Sequence, residues 1–108
     1  MRRGSKGLKA VKIVKTLYPT NFVLADVRVA EAGALISKMV FDAGADWISV
    51  LSSANIATIE TVAKEAFSRG GDVQIELQDG WTNEKLNHCK ELGIQQVIFH
   101  KSRDAEKF

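Results

Sequence analysis

The sequence predicts an α/β fold: about four parallel strands with alternating helices, forming a partial (β/α)8 TIM barrel. Three observations carry this. Four short apolar runs begin at Phe22, Trp47, Val73 and Val97, spaced 25, 26 and 24 residues apart. Segments of helical periodicity lie between them. Each run follows a helix-stop signal: Pro19, then "DAGAD", "RGGD" and "ELGIQ". Apolar strands alternating with helices indicate a parallel sheet covered by helices. A regular period with very short loops favours a barrel over an open doubly wound sheet.

The elements follow in order. Residues 5–18 read as a helix, with Leu8, Val11, Val14 and Leu17 at steps of three and lysines 6, 9, 12 and 15 on another face. The first strand is "FVLADV". A helix with Leu35, Met39 and Val40 on one face follows, then the strand "WISVLSS". Ile59, Val62, Ala63 and Ala66 mark the next helix face, and "VQIEL" the third strand. Leu86, Cys89 and Leu92 give a weaker helix, with Asn83 as its expected N-cap, before the last strand, "VIFH". The glycine after each later helix permits a left-handed cap.

Such barrels usually need about 250 residues, and this chain has 108. The whole chain, 1–108, is therefore expected to be the central fragment of a barrel; a small self-contained open sheet is the alternative. A half-barrel would have two open edges and exposed inner residues such as Val23, Ile48 and Ile75. Dimers or aggregates are expected.

The charge is uneven. The net charge is +2, but Arg2, Arg3, Lys6, Lys9, Lys12 and Lys15 all precede the first acidic residue, Asp26. No aromatic residue interleaves these lysines, so a stacking platform for bases is missing, and they read as a solvated helix face rather than a nucleic-acid site. No apolar run reaches membrane-spanning length, and no signal peptide is evident. Cys89, the only cysteine, has no internal disulfide partner and no metal-ligand motif around it. His88 reads as a surface residue. A cytoplasmic protein is expected.

In a barrel, chemistry sits at the C-terminal ends of the strands. Asp26 and Arg28 lie two apart at the end of the first strand; Glu76 ends the third; His100 ends the fourth, with Arg103 and Asp104 following. The second ends in Ser52 and Ser53. Each has a structural reading: Asp26 and Arg28 as a salt bridge, Glu76 as a partner of Arg28, His100 as a core-edge histidine, Arg103 and Asp104 as a surface pair, Glu31 as an acidic first-turn residue. Their convergence on one rim points to chemistry instead. Two carboxylates offer hard oxygens of the kind Mg2+ takes, and a histidine titrating near neutrality can deliver a proton.

The segments "LADVRVAEAG", "AGADWISV", "DVQIELQDGWT" and "GIQQVIFHKSRDA" together resemble the 3-keto-L-gulonate 6-phosphate decarboxylases, (β/α)8 barrels of the orotidine 5'-monophosphate decarboxylase superfamily. Hexulose-6-phosphate synthase, a sister activity, is less similar at the third and fourth segments. The resemblance implies decarboxylation of a β-keto sugar phosphate to L-xylulose 5-phosphate through an enediolate, with Mg2+ and a homodimer. The family signature Asp-x-Lys-x-x-Asp reads Asp26-Val27-Arg28-Val29-Ala30-Glu31 here. It implies Asp26 as Mg2+ ligand and substrate contact, Arg28 in the place of a lysine that stabilises the enediolate, and Glu31 in the place of an aspartate that reaches the neighbouring subunit's site. It also implies Glu76 as a substrate contact, and His100 with Arg103 as the protonating pair. Arginine keeps the charge but is effectively never deprotonated, so Arg28 suits an electrostatic role only. The family's first two strands, with a further metal ligand, and its last two, with the phosphate loop, have no counterpart in these 108 residues. The isolated chain is expected to be inactive. The rival reading is a non-catalytic, self-associating half-barrel; a synthase-type aldolase is the enzymatic alternative.

Overall fold

The structure, a computed structural model, describes residues 2–99, with side chains from residue 7 onward. Helix α1 (Arg2–Leu17) leads into β1 (Leu24–Val29), α2 (Gly33–Asp42), β2 (Trp47–Leu51), α3 (Ile56–Ser68), β3 (Asp72–Leu77), α4 (Asn83–Glu91) and β4 (Gln96–Phe99). The strands are parallel and pair in the order β1-β2-β3-β4. Each strand lies beside its sequence neighbour, as in a barrel wall. A doubly wound sheet reverses its strand order part-way instead.

The stop signals act as expected. Helix α1 ends at Leu17, just before Pro19. Gly44 and Gly93 turn the chain after α2 and α4 at φ 108° and 96°, a region closed to most side chains.

One face of the sheet forms the core. Ala25, Val29, Ile48, Val50, Val73, Ile75 and Leu77 are buried together with Val40, Phe41, Ile59, Val62, Ala63, Ala66, Cys89 and Ile94 from the helices and turns. The expectation that Val23, Ile48 and Ile75 are exposed inner residues is wrong. All three are buried, and Ile48 and Ile75 face the helices. Strand alternation turns their neighbours Ser49, Gln74 and Glu76 to the other face. The inner face is thus largely polar along β2 and β3.

Two helix faces also differ from expectation. In α2 the buried residues are Gly33, Ser37, Val40 and Phe41, while Leu35 is 59% exposed and Met39 is exposed too. Helix α3 packs very close to α2. A Cβ on Gly33 would lie 2.9 Å from Val62 Cγ2 and 3.0 Å from Thr58 Cγ2. The Ser37 hydroxyl donates to the Gly33 carbonyl within its own helix, so this small polar residue is buried without cost to the contact. In α1, Leu8 and Val11 reach the core, but Leu17 is 68% exposed. Steps of three fall roughly 60° behind the helical repeat each time, so such a row walks around the helix. At α4 the N-cap is Thr82, not Asn83: the extended Thr82 accepts from the Lys85 amide at 3.1 Å.

The strand-start end is clamped by Asp46. Its Oδ2 accepts from Lys15 Nζ at 2.9 Å and from the Val23 amide at 2.8 Å, and Lys15 also donates to the Asn21 carbonyl. Burial works to raise the Asp46 pKa, but the Lys15 and Val23 hydrogen bonds outweigh it and hold the carboxyl below its ordinary value. Beside it, Phe22 meets Trp47 edge to face at 4.8 Å. Helix α1 is thereby fastened to the sheet.

Candidate active site at the strand C-terminal ends

The site grows from an irregularity in β1. Ala25 pairs with Ile48 and Val29 with Val50, so four steps along β1 match two along β2. The excess is a β-bulge. Asp26, Val27 and Arg28 all span the single residue Ser49. Arg28 has φ 52°, left-handed and uncommon for a non-glycine residue. Val27, which a regular strand would bury between Ala25 and Val29, is 42% exposed.

The bulge gathers three of the predicted residues. Arg28 Nε lies 3.2 Å from Glu76 Oε2 and 3.7 Å from Asp26 Oδ1. The Arg28 side chain is 54% exposed, whereas that of Glu76 is only 9% exposed. The buried Glu76 Oε2 makes no aligned hydrogen bond despite the nearby guanidinium, and the buried Gln74 Oε1 has no partner among the described residues. Unsatisfied buried acceptors are uncommon and call for an explanation. Two on one polar face suit a ligand that brings cationic charge or hydroxyl donors.

The other predicted residues stand apart. Glu31 is exposed in the bend before α2 and has no ion pair among the described residues. His100 and Arg103 lie outside the described residues. Ser52 is buried and serves the local fold: its hydroxyl accepts from the Gln78 amide at 2.8 Å, and the Ser53 amide donates to Gln78 Oε1. His88 is partly exposed and sits 3.1 Å from Glu60, on the outer helical layer away from the rim. Burial pushes the Cys89 thiol upward, which keeps it protonated and unreactive.

Sequence reading missed Ser49 and Gln74. Ser49 is fully buried; its Oγ donates to Asp26 Oδ1 at 2.7 Å and accepts from the Arg28 amide at 2.9 Å. The available signal was a polar residue inside each apolar run, "WISVL" and "VQIEL", at positions that are register partners.

For a divalent cation, the described residues hold no cluster of three or more His, Cys, Asp or Glu side chains. They offer the carboxylates of Asp26 and Glu76, and Mg2+ is commonly held by one or two carboxylates completed by water and substrate oxygens. The unsatisfied Glu76 oxygen and the half-exposed Asp26 carboxylate fit that chemistry.

Residues 4–108 match the orotidine 5'-phosphate decarboxylase / HUMPS family. The chain belongs to this family. It is 46% identical over 101 residues to 3-keto-L-gulonate-6-phosphate decarboxylase of Escherichia coli, a match covering 94% of this chain and 47% of that protein. Its fold superposes on the crystal structure of 3-keto-L-gulonate-6-phosphate decarboxylase from Vibrio cholerae with a TM-score of 0.88 at 41% identity, covering 92% of this chain and 46% of the other. KGPDC from Streptococcus mutans, in complex with a sugar phosphate, gives 0.82 at 34% identity, covering 88% and 45%. A 3-hexulose-6-phosphate synthase from Salmonella typhimurium gives 0.82 at 28%, covering 92% and 47%. The chain spans about half the length of the curated relatives it matches. Its four strands are accordingly part of a barrel, and Asp26, Arg28 and Glu76 lie on the rim where this architecture places its chemistry.

Proposed function

We propose that this chain carries the central, charged part of the active site of a Mg2+-dependent decarboxylase that converts 3-keto-L-gulonate 6-phosphate to L-xylulose 5-phosphate. The observation that carries the reading is the placement of Arg28 between Asp26 and Glu76 at the strand ends, in a member of a family whose close relatives bear that decarboxylase name. The sugar-phosphate complex of the similar Streptococcus mutans protein supports a ligand of that class.

Loss of CO2 leaves an electron pair on the substrate, and the substrate's own carbonyl takes it up as a 1,2-enediolate. Negative charge then develops on oxygen. Arg28 is a permanent cation facing that position, and fixed charge aimed at a developing oxyanion lowers the barrier. Glu76 accepts from substrate hydroxyls through its unsatisfied oxygen. Asp26 would hold the Mg2+, which as a Lewis acid supplies further stabilisation of charge on oxygen. Glu31 assists Arg28 from the bend, and His100 with Arg103 returns the proton to carbon. The protein acts as a homodimer, an arrangement favoured by apolar side chains left exposed at Leu17, Tyr18 and Phe22.

The test is CO2 release from 3-keto-L-gulonate 6-phosphate with and without Mg2+, by the protein expressed from its whole reading frame. Turnover that needs Mg2+ and disappears in Arg28→Met supports the reading. Aldol cleavage of a hexulose 6-phosphate without CO2 release would reassign the site to the synthase activity. No turnover of either substrate would favour a non-catalytic role. The 108 residues alone are expected to show no turnover above a His100→Ala control.

A further inference from the structure

We infer that Ser49 is a positioning residue of the rim site: one buried hydroxyl fixes both the Asp26 carboxylate and the Arg28 backbone, and so aims the Arg28 guanidinium at Glu76. The inference rests on the reading of the rim as a ligand site, since aiming matters only where something binds.

Three observations support it. First, Ser49 alone faces the bulge. Between the paired positions Ile48 and Val50 it is the only residue of β2, opposite Asp26, Val27 and Arg28. A bulge breaks the ladder of backbone hydrogen bonds, and here the Ser49 hydroxyl fills the gap, accepting from the Arg28 amide at 2.9 Å. Second, the same oxygen donates to Asp26 Oδ1 at 2.7 Å. A compact side chain that donates and accepts at once must be a hydroxyl. Third, Arg28 is held at φ 52°. A left-handed non-glycine residue is sustained only when its surroundings fix it, and the Ser49 contact is the one that reaches its amide from across the sheet.

Ser37 supplies the contrast within the same molecule. It too is fully buried, yet its hydroxyl is satisfied by the carbonyl one turn back in its own helix. Burial alone therefore does not send a serine hydroxyl to a functional carboxylate. Ser49 bypasses its own strand and bonds two atoms of β1, one on Asp26 beside the guanidinium and one on Arg28 itself.

The test uses the 15N-labelled protein and the Arg28 signals. In the wild type, Glu76→Gln is expected to shift the Arg28 Nε–H resonance. In Ser49→Ala the Arg28 amide should exchange about tenfold faster, the value of one lost hydrogen bond, and Glu76→Gln should no longer move the Nε–H resonance. Ser49→Thr, which retains the hydroxyl, should restore both. If Ser49→Ala does not fold, Ser49→Cys takes its place, keeping the volume with a much weaker donor and acceptor, and the same losses are expected. Wild-type Arg28 exchange and an intact Glu76 response in the folded Ala or Cys variant would overturn the inference. Titration with D-ribose 5-phosphate and Mg2+ separates this outcome from failure of the functional reading. A wild type whose Arg28 and Asp26 signals ignore both ligands counts against the ligand site, while the Ser49 coupling is still decided by the Arg28 signals alone.

Discussion

Each end of the sheet holds an aspartate beside a cation. Where the strands begin, Asp46 takes a well-formed hydrogen bond from Lys15 and another from the Val23 amide, in ordinary backbone geometry. Where they end, Asp26 is 3.7 Å from Arg28, Glu76 has a buried oxygen with no aligned donor, and Arg28 is left-handed. The first pair is saturated and fastens α1 to the sheet. The second is spread thin: one guanidinium stands between two carboxylates and completes neither. Proteins break local rules chiefly at functional sites, and satisfied interactions elsewhere compensate. The difference therefore distinguishes an ion pair that holds the fold from a charged cluster kept available for a ligand.

The largest expected effect separates the ends by rate. Asp26→Asn should lower CO2 release about 100-fold or more, the scale of losing a key electrostatic group, with a small change in melting temperature. Asp46→Asn should leave specific activity within a factor of about two while lowering the melting temperature. Rate and melting measurements on both variants check this, and a reversed pattern would exchange the roles of the two ends. Next in size, Ile75→Ala should cost about 2–5 kcal/mol by denaturant unfolding, as large-to-small changes in a packed core do; a loss near zero would return Ile75 to the inner face.

Glu76→Gln comes next. It removes a charge that is buried and poorly paired while keeping the shape, so stability should change by less than about 1 kcal/mol, or rise. A marked loss would mean that Arg28–Glu76 holds the fold as Lys15–Asp46 does. The smallest effect is on pH dependence. The Asp46 pKa is depressed in the folded state, so its contribution is present above the unfolded value near 3.8 and is lost as pH falls through the folded value. Because both partners are about a third exposed, the contribution should be below about 1 kcal/mol. Asp46→Asn should flatten the acid limb of the stability curve by that amount.

Much of this is legible in the sequence because the signals are local. The 25-residue rhythm and the helix-stop glycines mark all four strands and helices, and the parallel wall follows from them. The approach of Arg28 to Glu76 can be read from residue type and strand position alone. What escapes depends on neighbours in space. Leu35 and Met39 look like a core face, but close packing at Gly33 turns smaller residues inward. Ile48 and Ile75 read as inner residues because continuous apolar runs hide their alternation until pairing fixes it. Ser49 escapes because its importance comes from a bulge in a different strand. A bulge is a mismatch between two strands and leaves no mark in either one alone.

The bulge has a consequence for how this wall can change. Because it adds two residues rather than one, Ala25 and Val29 both still face the helices, and the side-chain parity of β1 is the same before and after it. An odd insertion would turn the rest of the strand inside out. Length can therefore be added here in pairs, with the rim charges displaced along the wall and the buried layer beneath untouched. A barrel that varies its chemistry by such even steps can change its substrate without having to rebuild its core.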